Sequence, residues 1–262
     1  MPSMNKSIAS RLDIISCASQ ALGRAMPCAV IRPEHYEDRQ EDWPVLYLLH
    51  GRGRSERSLV DLPAAVPALL AAPFFIVLPR GENGWYINSP VRPADRYESY
   101  LEDVMAAVEQ RYGVSRRAEG RAIAGWSMGG YGAVRFAENH ACQFAAVASM
   151  IGVLDFPGAV SAYKVPVDRF GNDPAVWAQF NPCTHAECLR GTAVMLVTAD
   201  QAFDRAMNEA FALRLREMGV ACQWRLLNGA HTLEVVCAAL PVLVDFFKSI
   251  LRPIIKNKNR NR

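Results

Sequence analysis

The feature that most constrains the fold is a single serine set between glycines. The stretch Gly125 to Gly129 (GWSMG) follows the apolar run Ala122 to Ala124 and precedes a helix-prone segment. A strand that turns abruptly into a helix strains the residue at the junction, and flanking glycines remove side chains that would collide there. An ordinary glycine-rich turn is the alternative, but the strand-turn-helix context favours a nucleophile elbow that presents the hydroxyl of Ser127.

Short apolar runs alternate with longer amphipathic stretches along the chain, which predicts an α/β fold with a mostly parallel sheet and helices on both faces. Residues 1–44 show alternating polarity and turns, and predict an antiparallel hairpin at the sheet edge. The predicted strands are Val45–Leu49, Phe74–Leu78, Arg121–Ala124, Phe144–Ser149, Ala193–Thr198 and Cys222–Leu227. The predicted helices are Tyr97–Arg111, Met128–Asn139, Phe203–Met218 and Leu233–Leu251.

A chain of 262 residues with 51% hydrophobic residues can bury a large core, so one domain is expected over residues 1–251. Within it, residues 152–190 lack periodicity and are rich in proline, and they are expected to shape a substrate pocket. Residues 252–262 carry five basic side chains and no acid. We interpret them as a solvated, flexible tail, because the rest of the chain has a small net negative charge that does not favour nucleic acid.

Composition also limits the partners. Seven cysteines form an odd number without any C-x-x-C pair, which is typical of a reduced protein. Cys183, His185 and Cys188 supply only three of the four ligands of a zinc site, so we expect no metal, and no dinucleotide fingerprint indicates another cofactor. No continuous apolar segment has the length of a signal peptide or a membrane span. These patterns predict a cytoplasmic protein that binds neither membrane nor nucleic acid, and they do not indicate an oligomeric state.

A serine nucleophile needs a base within hydrogen-bond reach. His231 lies in the glycine turn Asn228 to Thr232, after the last predicted strand and downstream of Ser127, and is the predicted base. His50 is its main rival, but it precedes the serine and is assigned to shaping the turn at Gly51.

Three carboxylates compete to orient this base. Asp200 directly follows the strand Ala193–Thr198 and is the predicted acid because it should lie at the strand end, level with the elbow. Asp204 falls four residues later, where the predicted helix has begun and an acid would favour the helix dipole. Asp155, which follows the strand Phe144–Ser149, is the third alternative.

An oxyanion hole requires two backbone N–H donors. Met128 directly follows the nucleophile and should supply one, and Arg52 in the turn after His50 should supply the other. Gly51 in that turn, with the aromatic residues Trp126 and Trp85, is predicted to border the substrate, although core packing is an alternative for both tryptophans.

The sequence motifs around these residues resemble those of the serine esterases related to S-formylglutathione hydrolase, tributyrin esterase and feruloyl esterase. The resemblance extends from about Ser19 to Phe247. It implies an α/β-hydrolase fold, hydrolysis of carboxylic esters, a Ser127-Asp200-His231 triad, and oxyanion donors at Arg52 and Met128. The matching blocks are Leu46 to Gly51 (LYLLHG), Gly84 to Tyr86 (GWY) with Tyr97-Glu98, Gly125 to Gly132 (GWSMGGYG), Phe170-Gly171 to Asn181-Pro182, Val197 to Asp200 (VTAD) and Gly229 to His231 (GAH).

Two departures from the family pattern bear on the substrate. Val197 stands where a glycine often precedes the acid, and Thr232-Leu233 replace the acidic and aromatic residues often found after the base. Neither removes a catalytic group. The expected function is a serine carboxylesterase acting on small short-chain or aromatic esters. Alternatives are a thioesterase of the S-formylglutathione type, a siderophore esterase, an acyltransferase with the same triad and a non-catalytic binding protein.

Overall fold

The computed structural model describes residues 8–36, 42–156 and 164–252. Its centre is an eight-stranded sheet in the order β1-β2-β4-β3-β5-β6-β7-β8. The strands are β1 (Leu12–Ser19), β2 (Arg24–Ile31), β3 (Val45–Leu49), β4 (Phe75–Pro79), β5 (Arg121–Trp126), β6 (Ala146–Met150), β7 (Ala193–Ala199) and β8 (Cys222–Leu227). Strands β1, β2 and β4 pair antiparallel, and all pairs from β4 through β3 to β8 are parallel.

Helices connect the successive parallel strands, and a last helix follows β8. They are α1 (Val66–Ala71), α2 (Tyr97–Tyr112), α3 (Met128–Asn139), α4 (Val167–Phe170), α5 (Pro174–Phe180), α6 (Pro182–His185), α7 (Arg205–Glu217) and α8 (Leu233–Ile250). The predicted α/β fold and the antiparallel hairpin at its edge are therefore confirmed.

The sheet separates two hydrophobic clusters, one on each face. Side chains of α2, α3 and α7 belong to one cluster, and those of α1 and α8 to the other. Every residue of β3, β4, β5 and β6 is buried, because these strands are covered on both sides. This explains why they read in the sequence as continuous apolar runs rather than as alternating patterns.

The segment predicted to be irregular, residues 152–190, contains three short α-helices, α4 to α6, and the 3₁₀ helix Ala186–Leu189 within its described part. Pro157 and Tyr163 of that segment lie outside the described residues, as does the predicted tail beyond Arg252. The parallel strands all end at the same edge of the sheet, where β5, β7 and β8 lead into three loops. Those loops carry the candidate site.

Candidate active site

Ser127 occupies the junction between β5 and α3 in a backbone conformation that non-glycine residues seldom adopt. Its φ is 56° and its ψ is −120°, and its N–H donates to the carbonyl of Met150 on the neighbouring strand at 3.0 Å. Such strain persists only where the surrounding structure enforces it, and it is common at reactive residues. The strand-turn-helix elbow predicted from the sequence is the observed geometry.

Glycines beside the serine allow the backbone segments to approach closely. A Cβ on Gly125 would lie 2.2 Å from the carbonyl oxygen of Gly129. A Cβ on Gly129 would lie 2.2 Å from the carbonyl oxygen of Leu49 at the end of β3. No side chain fits at either position, so glycine is needed to seat the elbow against the neighbouring strand.

The imidazole of His231 meets the serine hydroxyl. His231 lies in the loop between β8 and α8, and its Nε2 is 2.8 Å from Ser127 Oγ. Its Nδ1 is 2.6 Å from Oδ1 of Asp204. A carboxylate only accepts hydrogen bonds, so Nδ1 carries the proton and the Nε2 lone pair faces the serine hydroxyl. The predicted pairing of Ser127 with His231 is therefore present.

The carboxylate of Asp204 is fully buried and held by two further donors. Its Oδ2 accepts from Thr198 Oγ1 at 2.7 Å and from Asn208 Nδ2 at 3.0 Å. Thr198 lies at the end of β7 and Asn208 in the first turn of α7, so strand and helix fix the carboxylate from both sides. Asn208 Nδ2 is also 2.7 Å from the carbonyl of Gly152, which anchors this amide to the loop after β6.

The prediction that Asp200 orients His231 is wrong. Helix α7 begins at Arg205 rather than at the predicted Phe203. Asp204 therefore precedes the helix, and its side chain turns inward toward His231 instead of lying along the first helical turn. Asp200 has another contact, since its Oδ1 accepts from the N–H of Gly229 at 2.8 Å. It ties the end of β7 to the loop that carries His231.

Sequence reasoning did not single out Thr198 or Asn208. Burial is the signal that was available for Thr198, a polar residue inside the apolar run of β7. Asn208 becomes informative only when Asp204 is known to be the partner of His231, four residues before it. Asp155 was the third candidate for the acid. Its Oδ1 accepts from Asn181 Nδ2 at 2.7 Å, so its carboxylate contacts the segment that contains α4 to α6.

His50 shapes a turn, as the sequence predicted. Its Nε2 accepts from the N–H of Gly81 at 2.8 Å, and its Nδ1 lies 2.8 Å from the carbonyl of Gly51. The ring is buried, and burial lowers its pKa to about 4. A neutral imidazole that donates through Nδ1 and accepts through Nε2 satisfies both contacts. His50 thus joins the ends of β3 and β4 beneath the Arg52 turn.

A cavity of about 130 Å³ opens above Ser127 and His231. Predicted site residues Gly51, Arg52 and Trp126 line it, and Gly51 needs to be glycine because a Cβ there would lie 2.9 Å from Trp126 Nε1. The remaining lining residues are Arg54, Ile151, Thr232 and Leu233. No described residue of the 152–190 segment lines this cavity, so its expected role in shaping the pocket is not seen there.

Met128 is the first residue of α3, directly after the serine. The first N–H groups of a helix have no acceptor within the helix, which leaves the Met128 N–H available at the elbow. Arg52 lines the cavity above Ser127. The assignment of Met128 and Arg52 as oxyanion donors stays a prediction.

The prediction that Trp85 borders the substrate is wrong for the cavity around Ser127. Its ring is buried in an aromatic cluster, stacked on Phe156 at a centroid distance of 4.7 Å and edge-on to Tyr131 and Phe170. Packing against three rings uses the whole indole surface in the core. The core alternative applies to Trp85, whereas Trp126 is both buried and at the cavity wall.

Within residues 8–36, 42–156 and 164–252, histidine, cysteine and acidic side chains form no cluster of three suited to hold a metal ion. Over the same residues, no helix has the length and apolarity needed to cross a membrane.

Two solved structures share this fold over most of the chain. A ferulic acid esterase shares the fold with a TM-score of 0.80 and 24% identity, over 92% of this chain and 98% of that one. A fluorophosphonate-binding serine hydrolase of Staphylococcus aureus, FphF, also gives a TM-score of 0.80, with 20% identity over 90% of this chain and 97% of that one. The architecture is thus the α/β-hydrolase fold.

The sequence profile of the family described as "Putative esterase" matches residues 19–214, which is more than half of the chain. The chain belongs to this family, and the resemblance stated from its motifs is confirmed. Esterase Rv1288 of Mycobacterium tuberculosis (strain ATCC 25618 / H37Rv) is 31% identical over 139 residues, 51% of this chain. That match spans only 30% of the mycobacterial protein.

Proposed function

We propose that this protein is a serine carboxylesterase that cleaves small carboxylic esters through an acyl-enzyme. The observation that carries the proposal is the continuous chain of contacts from Asp204 through His231 to Ser127. Membership in the esterase family supports it.

In the proposed first step His231 Nε2 takes the proton of Ser127 as Oγ attacks the ester carbonyl. The positive imidazolium that forms is stabilised by the buried carboxylate of Asp204, whose Oδ1 accepts a hydrogen bond from Nδ1–H. The same Nε2–H then protonates the departing alcohol. Water repeats the sequence on the acyl-enzyme and releases the acid, and no cofactor takes part.

The oxyanion formed in both steps needs N–H donors at the serine end of the cavity. We assign this role to the backbone of Met128, at the start of α3, and of Arg52, in the turn supported by His50. Each such donor typically contributes about 3 kcal/mol to transition-state stabilisation. Met128 directly follows Ser127 at the start of α3, and Arg52 lines the cavity above Ser127, and both placements support this assignment.

We further propose a cytoplasmic location. An odd number of cysteines without paired spacing supports a reducing compartment. Fractionation of the native host would test this assignment, and recovery in an extracytoplasmic fraction would contradict it.

The direct test is hydrolysis of p-nitrophenyl butyrate by the parent and by Ser127→Ala. We expect the variant to lose about 10⁶-fold in kcat, because the nucleophile and its base act as a unit. Hydrolysis by Ser127→Ala at the parental rate would exclude the mechanism. Product analysis in the presence of added methanol separates hydrolysis from acyl transfer, and we expect free butyrate as the main product.

A further inference from the structure

An exposed aromatic ring lies against the candidate base. The side chain of Phe203 is 52% exposed. Its ring centroid is 4.3 Å from that of the His231 imidazole, and the two planes are inclined by 33°. The ring therefore lies against the imidazole of His231, which lines the cavity that holds Ser127, while much of Phe203 faces solvent.

The turn between β7 and α7 fixes the position of this ring. Phe203 directly precedes Asp204, whose carboxylate is held by His231, Thr198 and Asn208. The fixed position of Asp204 therefore restrains the backbone at the preceding residue, Phe203. The aromatic contact with His231 adds a second restraint, so the ring is positioned before any ligand arrives.

During ester cleavage the leaving alcohol must lie next to the imidazole of His231. His231 Nε2 must come within hydrogen-bond distance of the alcohol oxygen to protonate it. Atoms attached to that oxygen then lie within a few ångströms of the imidazole, next to the ring that leans on it. Arg52 and Arg54 supply charged groups to the cavity wall, whereas Phe203 offers an apolar, π-bearing face.

We propose that Phe203 is a specificity-determining residue that receives the alcohol portion of the substrate and favours esters of aromatic alcohols. This proposal rests on the proposed function, and it goes further by assigning a substrate class to the leaving-group side. Exposed apolar surface that a bound aryl group covers is removed from water, and offset or edge-to-face ring contacts add to that gain.

The test compares benzyl butyrate with methyl butyrate. Both give the same acyl-enzyme, and their alcohols have similar acidity, so they differ mainly in the ring. The measured quantity is the ratio of kcat/KM for the two esters, which is independent of the folded fraction of a preparation. We expect Phe203→Ala to lower this benzyl-to-methyl ratio about 3- to 10-fold, the range of one aromatic contact.

Two further variants sharpen the comparison. Phe203→Tyr keeps the ring and should keep the parental ratio. Leu213→Ala, at a residue of α7 that is 50% exposed, is the matched control for loss of exposed apolar surface and should also keep it.

Loss of activity by Phe203→Ala to the same extent on both esters would overturn the inference, because the ring would then serve only to position His231. An unchanged ratio would overturn it as well. These outcomes differ from failure of the proposed function, which would appear as hydrolysis of methyl butyrate by Ser127→Ala at the parental rate.

Discussion

Replacing Asp204 by asparagine should move the proton of the His231 imidazole from Nδ1 to Nε2. Oδ2 of Asp204 accepts from Thr198 Oγ1 and from Asn208 Nδ2. An amide NH₂ at that position would face the NH₂ of Asn208, so the amide oxygen must take it. The amide NH₂ of the substituted residue then faces His231 Nδ1.

A donor opposite Nδ1 requires the imidazole to carry its proton on Nε2. The Nε2–H then points at Ser127 Oγ, 2.8 Å away, and cannot accept the hydroxyl proton. Loss of the correct tautomer in a serine triad lowers kcat by about 10⁴-fold, equivalent to about 5.5 kcal/mol of activation free energy. We therefore expect this loss for Asp204→Asn in the hydrolysis of p-nitrophenyl butyrate.

The matched control is Asp200→Asn. An asparagine at position 200 keeps an oxygen that can accept from the Gly229 N–H, as Asp200 does at 2.8 Å. Its kcat should remain within about threefold of the parent, since one hydrogen bond loses only its ionic character. Circular dichroism would establish that both variants are folded. Equal losses in the two variants, or a loss at position 200 alone, would refute the assignment of Asp204.

Three other substitutions probe the support around the site. Thr198→Val removes one donor from the Asp204 carboxylate and should lower kcat/KM about tenfold, and an unchanged value would show that the bond is dispensable. His50 has its pKa lowered to about 4, so its stabilising contribution is complete above pH 6.5 and is lost as the pH falls toward 4. Urea unfolding should show that the free energy of unfolding of the parent falls by about 3 kcal/mol more than that of His50→Gln between pH 6.5 and pH 4. An equal fall in the two proteins would contradict this prediction. Gly129→Ala forces a Cβ against Leu49 and should reduce the free energy of unfolding by about 4 kcal/mol or more, a prediction that parental stability would disprove.

Much of this architecture was predictable because its signals are local. Strands β3 and β8 and helix α3 have the predicted bounds, since apolar runs and the GWSMG turn punctuate them clearly. The pairing of Ser127 with His231 was also predictable. Ser127 follows β5 and His231 follows the turn after β8, and the carboxyl ends of parallel strands meet at one edge of the sheet.

The acid that orients His231 was not predictable, because the choice depends on a difference of two residues in where α7 begins. A start of α7 at Phe203 would place Asp204 in the first turn, whereas the observed start at Arg205 leaves it free to turn inward. Helix termini are commonly uncertain by this amount when derived from a pattern. Likewise, nothing local distinguishes Trp126 at the cavity wall from Trp85 in the aromatic cluster. Their difference arises from contacts with rings distant in the sequence.

The most direct test of the account is covalent labelling with a fluorophosphonate probe, followed by peptide mass spectrometry. A hydroxyl activated by His231 should react stoichiometrically, so we predict a single adduct on Ser127 that is absent from Ser127→Ala and strongly slowed in His231→Ala. An adduct on another residue, or no adduct on a folded parent protein, would contradict the proposal that Ser127 is the nucleophile.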